Sequence, residues 1–378
     1  MFHRLADLYD RLMQKLILLI FYYIPIVRAY LTPNFRSSDI CEEHSGNSTF
    51  NTGRYGIYVI WQPHGIPWYV TNILEGLRRH QVNTIVVSNG KLTPDQLAAL
   101  KPLCAEILVR RNKGLDFGAY KDAVLRLSQR EKAVSRFLVL NDSTYVFGRE
   151  LDHLLGELLS DDSPMVAAYE NWELHYHFQS FCLGLSGDLM RDPKVRQFWR
   201  DYRPISIRRW CIDQGEVQLS AAIRKAASSF RVLYSINSLL DSLMENSNWD
   251  TLLQYREFIP RPIRDDYPED DVLAMLEESE AAERKIILRR LQERLSQMFM
   301  LRAQAHTGAF FFPKFLSSPF LKRDIVYREM FTIYEVERML LELGYTEELQ
   351  SITDEIRRRG TAAHLKGFAR RRYRLGLI

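Results

Sequence analysis

From position 55 onward, short runs of apolar, β-branched and aromatic residues alternate with segments of helical spacing. The runs "YGIYVIW", "VNTIVVSNG", "AEILVRR" and "RFLVLND" each predict a buried strand. Between them, "YVTNILEGLRRHQ", "TPDQLAALKPL" and "YKDAVLRLSQ" predict helices, the second opening on a threonine cap with proline in its first turn. Further on, "RELDHLLGELLS" predicts a helix, "PMVAAYE" a strand, and "FQSFCLGLSGDLM" a strand leading into a helix. "CIDQGEVQLSAAIRKAASS" reads as a turn that becomes helical. Such alternation predicts an α/β fold with a mostly parallel sheet flanked by helices and joined by right-handed crossovers. After a charged, proline-rich break near 260–271, "DVLAMLEESEAAERKIILRRLQERLSQMFMLRAQ" predicts a long helix, and a helical section runs to the end.

The first 35 positions follow another pattern. "LMQKLILLIFYYIPIVRAYL" is the most hydrophobic stretch of the chain, but its uninterrupted part, Leu16 to Val27, contains Pro25. That part falls short of the ~20 residues a spanning helix needs. Lys15 and Arg28 flank it and Tyr22 and Tyr23 sit within it, which predicts an apolar helix lying among lipid headgroups. A helix packed on the protein's own core is the alternative. The expected organisation is an apolar helix over 1–35, a polar linker over 36–54, a sheet domain over 55–250, and a helical section with a basic tail over 260–378.

Composition narrows this picture. The 378 residues leave room for one large or two ordinary domains with a real core. A net charge of +4 excludes a global polycation. Four scattered cysteines without a CxxC pair suit reduced thiols and a reducing compartment. No small-residue cleavage site follows the first apolar run, so no secretory leader is expected. The tail "RRRGTAAHLKGFARRRYRLGLI" interleaves cations with Phe, Tyr and Leu. It suits an anionic leaflet, nucleic-acid phosphates or a solvated helix end.

Ligands of such sheets lie beyond the carboxyl ends of the strands. That rule draws Trp61 to His64, Ser88-Asn89, Arg110 to Asp116 and Asn141 to Ser143 to one edge. The set suits a nucleoside diphosphate sugar. Asp142, ending "FLVLND", is placed to hold a divalent metal on the diphosphate, with Asn141 and Ser143 adding neutral oxygens. The usual acid-any-acid pattern is absent, and an Asx cap explains Asp142 equally well. Arg110, Arg111 and Lys113 are cations able to share or replace the metal's role. In "NKGLDFGAY", Gly114 and Gly118 permit close backbone approach, while Asn112 and Asp116 suit ribose hydroxyls or the base. Asp116 also fits as a helix cap, and a helix start itself attracts phosphate. Asp213 and Glu216 are candidates for the base that takes the acceptor's proton, or else a cap and its capping box. The histidines of "HYH" at His175 to His177 lack a third ligand and are assigned no metal. Trp172 and Tyr176 suit a sugar-stacking groove or a core.

"NKGLDFGAYKDAV", "FLVLNDSTYVFG", "FQSFCLGLSGDLM…FW" and "GEVQLS", in this order, resemble the rhamnan synthesis protein F family, as does the later "FFFPKFLSSPFLKRDIV". The resemblance spans roughly Tyr55 to Val326. It implies a GT-A-type glycosyltransferase that builds bacterial surface polysaccharide, O-antigen or capsule. By position, Asn112, Gly114, Asp116 and Gly118 resemble the family's asparagine-glycine-aspartate-phenylalanine-glycine loop. Asn141, Asp142 and Ser143 resemble its asparagine-aspartate-serine motif, which stands where other GT-A enzymes bind metal. Glu216 resembles the glutamate near which inverting enzymes keep their base. "TYVFGRE" lacks the family's glycine-proline pair. Rhamnose on thymidine diphosphate is the donor the family suggests, with other deoxysugars and hexoses open.

The expectation is therefore a peripheral enzyme on the cytoplasmic face of the bacterial plasma membrane. It would use Mg²⁺ or Mn²⁺ at Asp142, a nucleoside diphosphate sugar and a lipid-linked glycan acceptor, and no nucleic acid. The competing expectation, favoured by the missing second acid, is a catalytically degenerate binding or scaffold module in a polysaccharide assembly complex.

Overall fold

The computed structural model describes residues 2–32, 38–128, 133–160, 162–173, 175–245, 255–264, 279–300 and 303–378, with side chains from residue 8 onward. Strand β1 (Ile40–Ser45) lies inside the segment expected to be a linker. The apolar runs form β2 (Arg54–Ile60), β3 (Asn83–Ser88), β4 (Glu106–Arg110) and β5 (Arg136–Asn141), all parallel to one another. Then come β6 (Thr144–Val146), β7 (Met165–Ala167), β8 (Glu170–Asn171), β9 (His177–Phe178), β10 (Cys182–Ser186), β11 (Arg231–Val232) and β12 (Phe320–Lys322). An eight-stranded sheet runs β1-β4-β3-β2-β5-β10-β7-β11, mostly parallel, with β1 and β10 reversed. β12 pairs with β6, and β8 with β9, in two-stranded ribbons.

Side-chain period explains the apolar runs. Ile57 and Val59 of β2 enter one apolar cluster, and Tyr58 and Ile60 enter another on the opposite face. A strand covered on both faces has no polar positions to alternate with. β1 escaped the sequence reading for the converse reason. It is an edge strand whose middle residues, Cys41, Glu42 and Glu43, are exposed, so "ICEEHS" carries no apolar pattern.

At the N-terminus, helix α1 (Phe2–Leu18) passes through a π-helical turn, Leu19–Tyr23, into α2 (Ile24–Leu31). Pro25 does not break it. The proline stands at the second position of α2, directly after the π-turn, where a missing N–H is tolerated. Leu8–Leu31 is consequently one helical stretch of 24 residues, in which an 18-residue run reaches mean hydropathy 1.5, long and apolar enough to cross a membrane by length and composition.

Helices α3 (Trp68–Arg79), α4 (Pro94–Leu100), α5 (Leu115–Leu127) and α6 (Leu151–Leu159) cover the sheet. The Thr93 cap of α4 forms a full capping box with Gln96. The C-terminal section does not keep a separate core. Phe310, Phe311, Phe312, Leu321, Val336 and Leu340 join the cluster that holds Tyr58, Ile73 and Leu154. Of the proline-rich break, Arg261–Arg264 is one helical turn, and 265–278 lies outside the described residues. The long helix is described over Ala281–Met300.

Two glycines fix the chain between β4 and α5. Gly114 caps α5 at φ +77°, and a Cβ there would stand 2.4 Å from the Pro204 side chain. A Cβ on Gly118 would stand 2.0 Å from the Lys113 carbonyl oxygen, a backbone atom. Gly118→Ala should therefore lower unfolding stability by about 2 kcal/mol or more in a denaturant titration. Gly156→Ala, on the exposed side of α6 with nothing within 4 Å, should raise it by roughly 0.5–1 kcal/mol.

Candidate active site

The cationic loop after β4 turns inward. Arg110 is fully buried; its Nε donates to Asp122 at 2.9 Å, its Nη1 to Asn89 Oδ1 at 2.6 Å and its Nη2 to the Lys113 carbonyl at 2.9 Å. Arg111 and Lys113 face Asp39 at 3.0 and 3.5 Å, while Asn112 is exposed. The close approach allowed by Gly114 and Gly118 is to the protein's own chain rather than to a ligand. None of these six positions lines the cleft in which the other candidates meet.

That cleft has a volume of about 670 Å³ at the carboxyl edge of the parallel strands. Asp116, Asn141, Ser143, Asp213 and Glu216 line it, although they arise from α5, β5, the turn after β5 and a distant helix. A continuous hydrogen-bonded chain crosses its floor. Asn141 Nδ2 donates to Asp116 at 3.0 Å, the Ser143 N–H donates to Asn141 Oδ1 at 3.1 Å, and Lys322 Nζ donates to Ser143 Oγ at 3.1 Å. Lys322 also lies 3.6 Å over the Phe181 ring.

Glu216 ends a π-helical segment, Cys211–Glu216, where the sequence predicted a turn. The segment follows Arg208–Trp210 and runs straight into the helix Val217–Ala226, so the whole stretch is helical. Gly215 lies close against Phe117, and short π-helical segments are frequent at functional sites. The Ser180 hydroxyl and N–H donate to Glu216 at 2.6 and 3.1 Å, and His177 Nε2 stands 3.6 Å from its other oxygen. His177 Nδ1 faces the His175 carbonyl at 2.7 Å, which leaves Nε2 as the nitrogen that faces the carboxylate.

These surroundings push two carboxyls in opposite directions. Burial raises Asp116 most, with Asp142 and Glu216 adding repulsion against the pull of Lys322 and Arg110, so its pKa rises to about 7. For Glu216 burial also works upward, but His177 and the two Ser180 donors outweigh it and bring the pKa down to about 2. Stabilisation from ionised Glu216 is complete above its ordinary 4.5 and fades as pH falls toward 2. His177 loses to burial but gains more from Glu216, and its pKa ends above its ordinary value.

Asp142 lies elsewhere. Its neighbours Asn141 and Ser143 face the cleft, while its carboxylate points the other way. Oδ2 accepts from the Trp61 N–H at 2.9 Å and from Gln62 Nε2 at 2.5 Å, with Arg323 at 3.6 Å. A metal at Oδ2 would have to compete with these donors, and the carboxylate stands outside the cleft. The residues present do not fit the expected metal role, and among the described residues no three His, Cys, Asp or Glu side chains gather as a metal cluster. Asp213, although in the cleft, is engaged by Arg209 and the Tyr22 hydroxyl, each at 3.5 Å.

Residues 84–148 match the family model of rhamnan synthesis protein F. This matched segment carries Asp116, Asn141 and Ser143, three of the four residues in the hydrogen-bonded chain across the cleft floor. The chain is also 25% identical over 223 residues to an uncharacterized protein, y4gN, of Sinorhizobium fredii (strain NBRC 101917 / NGR234). That alignment covers 56% of this chain and 58% of the relative, so the chain spans little more than half of the curated relative it matches. A solved mannosyltransferase, PcManGT from Pyrobaculum calidifontis in complex with GDP-Man and Mn²⁺, covers 90% of this chain and 96% of its own at 8% identity and a TM-score of 0.27, a likeness too slight to carry an argument.

Sequence reading missed the cations of the far wall. Lys322, Arg208 and Arg328 line the cleft, together with His306 and Asp324. The rule that found Asn141 would have found Lys322, since "FLKRD" also ends a short apolar strand in charge, but its distance in sequence hid the pairing of β12 with β6.

Ionising Asp116 in the fold is unfavourable, so the native state holds its proton up to about pH 7 while the unfolded chain releases it near 3.8. Stability then falls as pH rises between those values. Asp116→Asn, which mimics the protonated form, should raise Tm by roughly a few degrees at pH 8 and change it little near pH 4. Thermal scans of both proteins across that range read the difference.

Proposed function

We infer that the protein is a glycosyltransferase of GT-A type that moves a sugar from a nucleoside diphosphate onto a growing bacterial surface polysaccharide. The observation that carries this reading is the meeting, in one cleft, of the polar floor of the rhamnan synthesis F segment with an ionised Glu216 and with C-terminal cations. Asp116 and Asn141 are the hydrogen-bonding pair that suits ribose hydroxyls. Glu216 is the carboxylate that takes the acceptor's proton as its oxygen attacks the sugar. Asp213 is engaged by Arg209 and Tyr22 and Glu216 by Ser180 and His177; Glu216 is preferred because its position resembles the family's glutamate. Trp172, exposed between the cleft residues Asn171 and Glu173, offers a face for the acceptor sugar.

The N-terminal helix supports work at the cytoplasmic face of the plasma membrane. Leu8, Leu12, Leu16, Ile20, Tyr23, Val27 and Leu31 form one exposed stripe at helical spacing, while Ile17 on the other side is buried. The docked side is held by Asp10 to Arg371 at 2.7 Å and by Arg203 to the Ala29 carbonyl at 2.9 Å. An apolar stripe beside the arginines of the helix Gly367–Arg374 suits an anionic leaflet.

A panel of sugar nucleotides, beginning with thymidine-diphosphate rhamnose, should yield one donor that is hydrolysed slowly and transferred to a lipid-linked glycan. Glu216→Gln should then cut transfer by roughly 10²–10⁴-fold while nucleoside diphosphate binding remains. Binding of nucleotides without turnover of any donor would point instead to the scaffold module. Leu16→Glu with Ile20→Glu should abolish sedimentation with anionic vesicles without lowering Tm, since both side chains face solvent; unchanged sedimentation would remove the membrane assignment.

A further inference from the structure

The far wall of the cleft holds two cations that make no direct ion pair among the described residues, although carboxylates stand at longer range. Lys322 is almost fully buried, yet among the described residues its ammonium contacts a hydroxyl and an aromatic face and no carboxylate directly. Arg208, half-buried at the start of the helical stretch that leads to Glu216, takes part in no ion pair among the described residues. Their neighbours are already committed. Arg328 and His306 both pair with Asp324, and Arg323 pairs with Glu355 while its Nη1 donates to the Asp142 carbonyl at 2.5 Å. A buried cation without a directly paired counter-ion is unfavourable unless an anion arrives to complete it. Burial lowers both pKa values, that of Lys322 to about 8, the mark of charge held ready for a partner.

We propose that Lys322 and Arg208 form the diphosphate subsite, and that they, rather than a divalent metal at Asp142, neutralise the departing nucleotide. The inference rests on the glycosyltransferase reading and adds the leaving-group machinery to it. As the acceptor oxygen bonds to the anomeric carbon, the bond from that carbon to the phosphate oxygen breaks and its electron pair leaves with the nucleoside diphosphate. The ammonium and guanidinium meet that growing charge, and Glu216 receives the acceptor's proton. Asp142, whose Oδ2 is held by Trp61, Gln62 and Arg323, anchors the end of β5 instead.

Calorimetric titration of the full chain with thymidine, uridine and guanosine diphosphates, first in EDTA and then in excess Mn²⁺, tests this. At least one should bind with the same Kd in both buffers. Lys322→Met and Arg208→Gln should each weaken it by roughly tenfold or more. Lys322→Met keeps the apolar stem over Phe181, so its Tm should not fall, which separates a lost contact from a lost fold. Binding that needs Mn²⁺, or that ignores both substitutions, overturns the subsite and leaves the glycosyltransferase reading standing. Absence of binding to all three nucleotides in both buffers overturns the two together.

Discussion

Pairing of β12 with β6 is the constraint on which the cleft depends. Lys322 lies opposite Thr144, so the residues around it meet the end of β5 in a fixed register. From that register Lys322 reaches Ser143, and Arg323 reaches the Asp142 carbonyl while holding Glu355 at 2.7 Å. Without this ribbon the carboxyl edge of the parallel strands would be an open ledge of Asp116, Asn141 and Ser143. With it the ledge gains a cationic wall, and the C-terminal section becomes part of the core that supports the sheet. A site built from elements so far apart in sequence exists only in the complete fold.

The cleft then acts through contrast. Asp116 is crowded by burial and by two other carboxylates, so it keeps its proton to near neutrality. Glu216 stands a short way off with three donors aimed at it, so it is ionised over almost the whole pH range. Carboxyls driven apart in this manner stand in different protonation states over the same pH range, Asp116 able to give a hydrogen bond where Glu216 only accepts. Lys322 completes the pattern, because Asp324, Glu216 and Asp116 favour its charge but burial opposes it more strongly. The resulting arrangement is under electrostatic tension without a ligand, as sites that bind charged molecules commonly are.

Most of the sheet was legible in the sequence because buried parallel strands must be apolar on both faces, and β2, β3, β4 and β5 are. β1 was not, since an edge strand has no such obligation. The site divides along the same physical line. Asp116, Asn141 and Ser143 were drawn to one edge by the rule about strand ends, Glu216 by the family resemblance and Asp213 by its place at a turn entering a helix; all five line the cleft. Arg110 and Asp142 were misplaced because a charged residue at a strand end has two uses, and sequence does not say which way the side chain points. Arg110 closes the interior by binding Asp122 and Asn89, and Asp142 stitches β5 to the Trp61-Gln62 turn. Lys322 and Arg208 went unseen because their contacts come from pairing across much of the chain, which no local pattern records.

The N-terminal helix is joined to the same machinery. Its π-helical turn, Leu19–Tyr23, presents Tyr22 to Asp213, a residue of the π-helical segment that ends in Glu216. Arg209 sits between them, 3.5 Å from Asp213 and 5.5 Å from the centre of the Tyr22 ring. A simple tether would meet the globular body through one interchangeable apolar patch. Beside its apolar contacts, this helix meets it through a hydroxyl, a carboxylate and a guanidinium in one cluster near the cleft wall. Any displacement of the helix along its axis would have to break that cluster, so the orientation of the exposed apolar stripe is fixed relative to the cleft. The same cluster ties the helix to the segment that carries Arg208, Asp213 and Glu216, so helix and cleft wall are held in one arrangement.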